Sequence, residues 1–216
     1  MAISFVAYAT GASASANDGT VTVSVPSGTQ NSDVMVLVVT TNNLNALTAT
    51  GWTQSLQTVI RGGEYSYVCY RVASSEPGSY TFTQTTATMS AGIATYRGVL
   101  TSSVFDVSPV AGTVVTSGTS IVAPSITPSY GGSRMVCSFI SRESWTFSTP
   151  TGMTERWDFN DGRGVYTQSL DDEAVSTGAT GTRTSTTSGS IGFAAGGISM
   201  ALRGSPVPFS QGLIIL

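Results

Sequence analysis

The chain contains no histidine and no lysine. Without histidine the commonest general base near neutral pH is missing, and a Ser-His-Asp triad is excluded. Two cysteines, Cys69 and Cys137, cannot build an ordinary Cys/His zinc site by themselves. Charge is scarce as well: 10 % of residues are charged, against about a quarter in a typical globular domain. All nine basic residues are arginines, scattered singly in a chain of net charge −3. No basic run is present to neutralise a row of phosphates, so no nucleic-acid partner is expected. The longest apolar runs, such as residues 34–39, are far short of the roughly 20 residues of a spanning helix, and no membrane partner is expected. The opening Met-Ala-Ile-Ser-Phe lacks the basic region and long apolar core of a signal peptide, which points to synthesis in a cytoplasm without Sec export. Helical periodicity with caps is absent, and with it the setting for a phosphate-binding loop or a nucleophile elbow.

Serine, threonine, glycine and small apolar residues fill the chain instead, a mixture poor for helices and good for strands joined by tight turns. Apolar or alternating runs predict strands near 4–8, 20–25, 34–40, 53–60, 65–72, 79–84 and 92–97 in the first half. The second half gives 120–126, 134–140, 154–159, 164–170, 180–186 and 192–203. Turn signals separate them, among them Arg61-Gly-Gly, Glu76-Pro-Gly and Asn160-Asp-Gly.

The chain also repeats itself. Asp33-Val-Met-Val-Leu-Val-Val, Gly51-Trp-Thr-Gln and Gly92-Ile-Ala-Thr-Tyr-Arg-Gly98 recur in order as Ser133-Arg-Met-Val-Cys-Ser-Phe, Gly152-Met-Thr-Glu and Gly197-Ile-Ser-Met-Ala-Leu-Arg-Gly204, offset by about 100 residues. The expected fold is all-β: a two-sheet antiparallel sandwich, jelly-roll-like, built from two duplicated halves of about 100 residues. Two small sandwiches in tandem are the alternative. The join near 101–120 contains Val104-Phe105-Asp-Val107 and is apolar and strand-like, which favours one shared core. We therefore expect one domain over 1–216, with the pseudo-repeat at about 20–99 and 120–204 and a C-terminal arm at 205–216.

Candidate sites can be weighed against their counterparts in the other half. Asp171-Asp172-Glu173 puts two acids on one strand face, as a glycosidase requires, but aligns with Ala73-Ser-Ser-Glu-Pro77, which predicts a solvated turn. Asp158-Phe-Asn-Asp-Gly162 resembles part of a calcium loop without its distal glutamate, and reads as a hairpin turn. Trp52, Trp145 and Trp157 invite a glycan-stacking platform; Trp52 aligns with Met153, as an interchangeable core position does. Arg97 and Arg203 close the two copies of one element and read as solvated or intra-sheet hydrogen-bonding residues. Cys69 and Cys137 are expected to be buried, reduced and apolar in character. No catalytic, cofactor or metal residues are assigned. The unrepeated ends are apolar, and Met1, Ile3, Phe5, Phe209, Leu213, Ile214, Ile215 and Leu216 are the residues expected to make subunit or particle contacts, or to dock on the chain's own body.

The segments Gly51-Trp-Thr-Gln, Tyr70-Arg-Val-Ala-Ser-Ser-Glu-Pro-Gly-Ser-Tyr-Thr-Phe82, Ala94-Thr-Tyr-Arg-Gly-Val99, Pro150-Thr-Gly-Met-Thr-Glu-Arg156 and Thr177-Gly-Ala-Thr-Gly-Thr-Arg183 resemble a β-rich module of tailed-phage virion surface proteins, also seen in some bacterial secreted proteins. The resemblance spans roughly residues 20–204. It implies a non-enzymatic virion part, of capsid-decoration or minor-tail type, with other virion proteins and copies of itself as partners. It carries no catalytic residues across. A host glycan bound through exposed aromatics is the alternative partner.

Overall fold

The computed structural model describes residues 2–61, 63–161 and 167–205. They form fourteen strands and no helix. The first seven are β1 (Ser4–Ala12), β2 (Thr20–Ser24), β3 (Val34–Thr41), β4 (Thr53–Arg61), β5 (Glu64–Val72), β6 (Ser79–Thr83) and β7 (Met89–Arg97). The second seven are β8 (Phe105–Ala111), β9 (Ser120–Ala123), β10 (Ser133–Ser141), β11 (Thr154–Asn160), β12 (Thr167–Val175), β13 (Arg183–Thr186) and β14 (Ala195–Leu202).

The duplication holds strand for strand. The first half builds a five-stranded sheet in the order β1-β7-β3-β5-β4, and the second builds β8-β14-β10-β12-β11. Each half adds a two-stranded ribbon, β2-β6 and β9-β13. Every strand therefore has its equivalent seven places later, and all pairings are antiparallel. Even an irregularity is repeated: β4 slips register between Gln54 and Leu56, and β11 between Glu155 and Trp157. The two halves do not exchange strands; each supplies one complete sheet.

Side-chain pattern explains the layering. β3 is buried along its whole length, because both faces of its sheet are covered, and it reads as a continuous apolar run for that reason. Val34, Val36 and Val38 point into a central core shared with Val136, Ile140, Trp157, Leu170, Ile198, Met200 and Leu202 of the other half. Met35, Leu37 and Val39 point the other way, toward Val21, Val23 and Phe82 of the ribbon β2-β6. The second sheet repeats this with Met135, Cys137 and Phe139 beneath Ile121 and Ala123. The ribbons alternate buried and exposed residues, as outermost layers must. The molecule is thus layered ribbon, sheet, sheet, ribbon, with a central core drawn from both halves.

Cys69 lies in the outer core of the first half and Cys137 in that of the second. Both thiols are free and buried, and burial pushes each up to about 12.

Candidate functional site

Seven of the nine arginines have described side chains, and all seven are turned onto this chain's own groups. Arg71 pairs with Glu76, Arg97 with Asp33, Arg134 and Arg156 with Asp172, Arg142 with Glu64, and Arg183 with Glu173. Arg203 lies over the Tyr130 ring, its guanidinium carbon 3.5 Å from the centroid. Arg97 grips Asp33 with two hydrogen bonds of 2.9 and 2.8 Å and also donates to the carbonyl of Gly28. These contacts tie the end of β7 to the turn entering β3. The corresponding turn of the second half is organised by Asp106, which accepts from the backbone N–H groups of Ser129 and Tyr130 and from the Ser133 hydroxyl.

The most buried ionic group joins three neighbouring strands. Asp172 of β12 is fully buried. It accepts from Arg156 Nε at 2.9 Å and Nη2 at 2.8 Å, and from Arg134 of β10. A lone carboxylate at this depth would carry a large desolvation penalty; two guanidinium groups offset it. Burial opposes the charge of Arg156, but hydrogen bonding to Asp172 raises it above its ordinary value. Tyr96, also fully buried, is pushed well above the usual phenol range by burial and then by the charge of Asp172. Phe5 of β1 lies under the Arg156 guanidinium at 4.3 Å and meets Tyr96 edge-on at 5.8 Å. Arg134 reaches the carbonyl of Ile3 at 3.4 Å.

Two residues expected at a partner surface, Ile3 and Phe5, therefore sit at this cluster. Ile3 is 7 % exposed in the central core and Phe5 is half-buried against it. Met1, Phe209, Leu213, Ile214, Ile215 and Leu216 lie outside the described residues.

The acidic triplet 171–173 is not a solvated turn. It lies inside β12, with Asp171 1 % and Asp172 0 % exposed. Register gives the reason. Glu155 pairs with Asp171 as Gln54 pairs with Cys69, so the triplet is equivalent to Cys69-Tyr70-Arg71, within β5. Asp172 faces the central core and Asp171 the outer one, beside Cys137, its cross-strand partner on β10. One oxygen of Asp171 has no hydrogen-bond partner, and the other receives only a long bond from Ser169 at 3.4 Å. Burial first, then the charge of Glu155, raises the Asp171 carboxyl to about 7. Burial also raises Asp158, which accepts from the N–H of Phe147 at 2.8 Å.

Chemically, Asp171 is a group that gains and loses a proton near neutrality. Glu155, its cross-strand partner on β11, stands beside it on the same face of the same sheet. A cross-strand pair of this kind is not the arrangement of two carboxyl groups facing each other across a glycosidic bond. Surface hollows lie elsewhere. One of about 360 Å³ is lined by Asp33, Arg97 and Ser205, and one of about 240 Å³ by the loop 176–180 with Glu173 and Arg183. No group of three or more potential metal ligands occurs among the described residues.

None of the three tryptophans is exposed. Trp52 packs edge-on against Tyr80 and Phe82 at 5.3 and 5.6 Å, Trp145 is half-buried against Gly189, and Trp157 is 3 % exposed. The exposed aromatics among the described residues are Tyr8, Tyr130 and Phe193, and Arg203 and Arg142 cover the last two.

Comparison with protein-family models, with curated proteins and with solved structures finds no match to this chain.

Proposed function

We propose that this chain is a non-enzymatic structural protein of a tailed-phage virion, held on the outer surface as a capsid-decoration or accessory protein. The observation that carries the reading is what the phage-like segments do in the fold. Gly51 offers its carbonyl to Arg71 at 2.8 Å, and Glu76 gathers Arg71, the Ser74 N–H and the Tyr80 hydroxyl. In the second half Arg183, the first residue of β13, binds Glu173 and the carbonyl of Thr180. The residues of the resemblance thus serve as ties between strands, which suits a part whose task is to hold shape. The weakly charged, hydroxyl-rich exterior suits repeated contact with neighbouring subunits, where many copies supply avidity that one contact does not.

Mass spectrometry of purified, salt-washed particles tests this. The protein is expected at a fixed stoichiometry to the major capsid or tail subunit. Its absence from particles whose other structural proteins are all detected would sink the reading.

A further inference from the structure

On one side of the central layer, polar side chains replace the apolar ones. Gln168 of β12 donates from Nε2 to the Ser90 hydroxyl of β7 at 2.6 Å, across the gap between the halves. Thr40 stands directly opposite Ser90 on β3. Ser138 of β10 and Trp157 of β11 are the diagonal neighbours of Gln168 on its own sheet. The Trp157 ring lies against Gly92, two residues from Ser90. Strand alternation turns Thr40 to the same side as Val34, Val36 and Val38, and Ser138 to the same side as Val136 and Ile140. Thr40, Ser138 and Gln168 are 0 % exposed and Trp157 is 3 % exposed. Yet Thr40 Oγ1, Ser138 Oγ, Gln168 Oε1 and Trp157 Nε1 meet no hydrogen-bonding group of the protein. A buried polar atom left unpaired costs free energy, and four in one neighbourhood call for a common partner.

The repeat shows that this polarity is not inherited. Register makes Ile140 the equivalent of Thr40, Val38 of Ser138, Leu56 of Trp157 and Ser66 of Gln168. The first three are apolar, and the Ser66 hydroxyl donates to the carbonyl of Val39 at 3.3 Å. We propose that the polar side of the central layer is a binding site for ordered water that bridges the two sheets. The donor and acceptor types select the ligand. Trp157 Nε1 only donates, Gln168 Oε1 only accepts, and the hydroxyls of Thr40 and Ser138 do either. Water, which donates twice and accepts twice, completes such a set. An anion would find no cationic group among these side chains, and a cation no carboxylate. The site joins β3 and β7 of one half to β10, β11 and β12 of the other, and is independent of any virion role.

A high-resolution crystal structure of the full chain is the direct test. Water bonded to Thr40 or Ser90 on one sheet and to Ser138, Trp157 or Gln168 on the other is expected; density without such a bridge overturns the proposal. Stability supplies a second readout. Thr40→Val keeps the branched shape of the side chain and removes its hydroxyl. The unfolding equilibrium constant, read by urea denaturation, is expected to rise about fivefold as the bonds to water are lost. An unchanged or lower constant, the result for a hydroxyl that has no partner, overturns the proposal.

Discussion

At Asp171 the second half carries an acid where the first half carries Cys69, and the exchange has a consequence for pH. The carboxyl is 1 % exposed, with one oxygen unpartnered, and titrates at about 7; in the unfolded chain it titrates near 3.9. Between those values the folded state holds a proton that the unfolded state has lost, so stability falls as pH rises from about 4 to about 7 and is level above that. The expected loss is on the order of a few kcal/mol. Asp158 is raised in the same direction and adds a smaller slope. Asp171→Asn removes the main titration. Urea midpoints at pH 5 and pH 8 should separate clearly in the unaltered protein and draw together in the variant; the same separation in both would show that Asp171 is not the titrating group. Asp172, one residue on, faces two guanidinium groups, whereas Asp171 faces none. Adjacent acids on one strand thus have opposite surroundings, set by the side to which each points.

At the scale of elements, the contact of β7 with β11 across the central core explains a glycine. A Cβ on Gly92 would lie 2.6, 2.9 and 3.1 Å from three ring atoms of Trp157. Alanine normally stabilises a strand interior relative to glycine; here Gly92→Ala is expected to destabilise by about 1–3 kcal/mol through overpacking. In a Trp157→Phe background the smaller ring leaves room and the same change should cost less, so a double-mutant cycle read by chemical denaturation should give a non-zero coupling energy. Additive effects would mean that the ring does not set the requirement for glycine. Gly92, which opens the last motif of the repeat, and Trp157 were both legible in the sequence, but not their contact, because a pattern of types does not say which residue faces which across two sheets. Thirteen of the strands were legible from apolar runs and turn residues. β8 was visible only as an apolar join, since Asp106 and Pro109 interrupt its pattern on an edge strand that tolerates both. β12 was placed too early, ending at Leu170, because three consecutive acids look like a turn when the arginines that neutralise two of them stand on β10, β11 and β13. Aligning the repeat through the β4-β5 hairpin, instead of beyond it, would have put the triplet inside a strand. The expectation that the two cysteines are buried and reduced held, since each sits in an apolar run that proved to face an outer core.

For the whole molecule, the repeated topology and the shared core bear on whether a half can stand alone. Each half has its own outer core, built from 14 buried residues in the first half and 11 in the second. The central core is different: its 18 buried residues come from both five-stranded sheets. The packing is also reciprocal, since β1 touches β11 and β4 touches β8, and these are the same contact with the halves exchanged. A half expressed alone would expose the inner face of a five-stranded sheet, a contiguous apolar surface of the kind that drives association. Its ribbon and outer core would leave secondary structure intact without fixing a unique packed state. We expect residues 1–103 and 104–216, made separately, to show strand-type far-ultraviolet dichroism, bind a hydrophobic dye and lack a sharp thermal transition. On mixing they should form a 1:1 complex that loses dye binding and regains one cooperative transition, because all that the cut removes is the covalent join near Val104. Two independent sharp transitions in the separate halves, unchanged on mixing, would instead mean that the outer cores suffice and that the central contact is only a docking of two finished domains. The asymmetric residues make the mixed pair preferable to either half with itself: Asp172 requires Arg134 and Arg156 on its own sheet, with Phe5 and Tyr96 from the other. A second copy of the same half would meet that buried charge with Phe105 and Leu202, the equivalents of Phe5 and Tyr96. Duplication followed by this divergence therefore favours one chain closing on itself over two copies pairing, and the mixing experiment measures by how much.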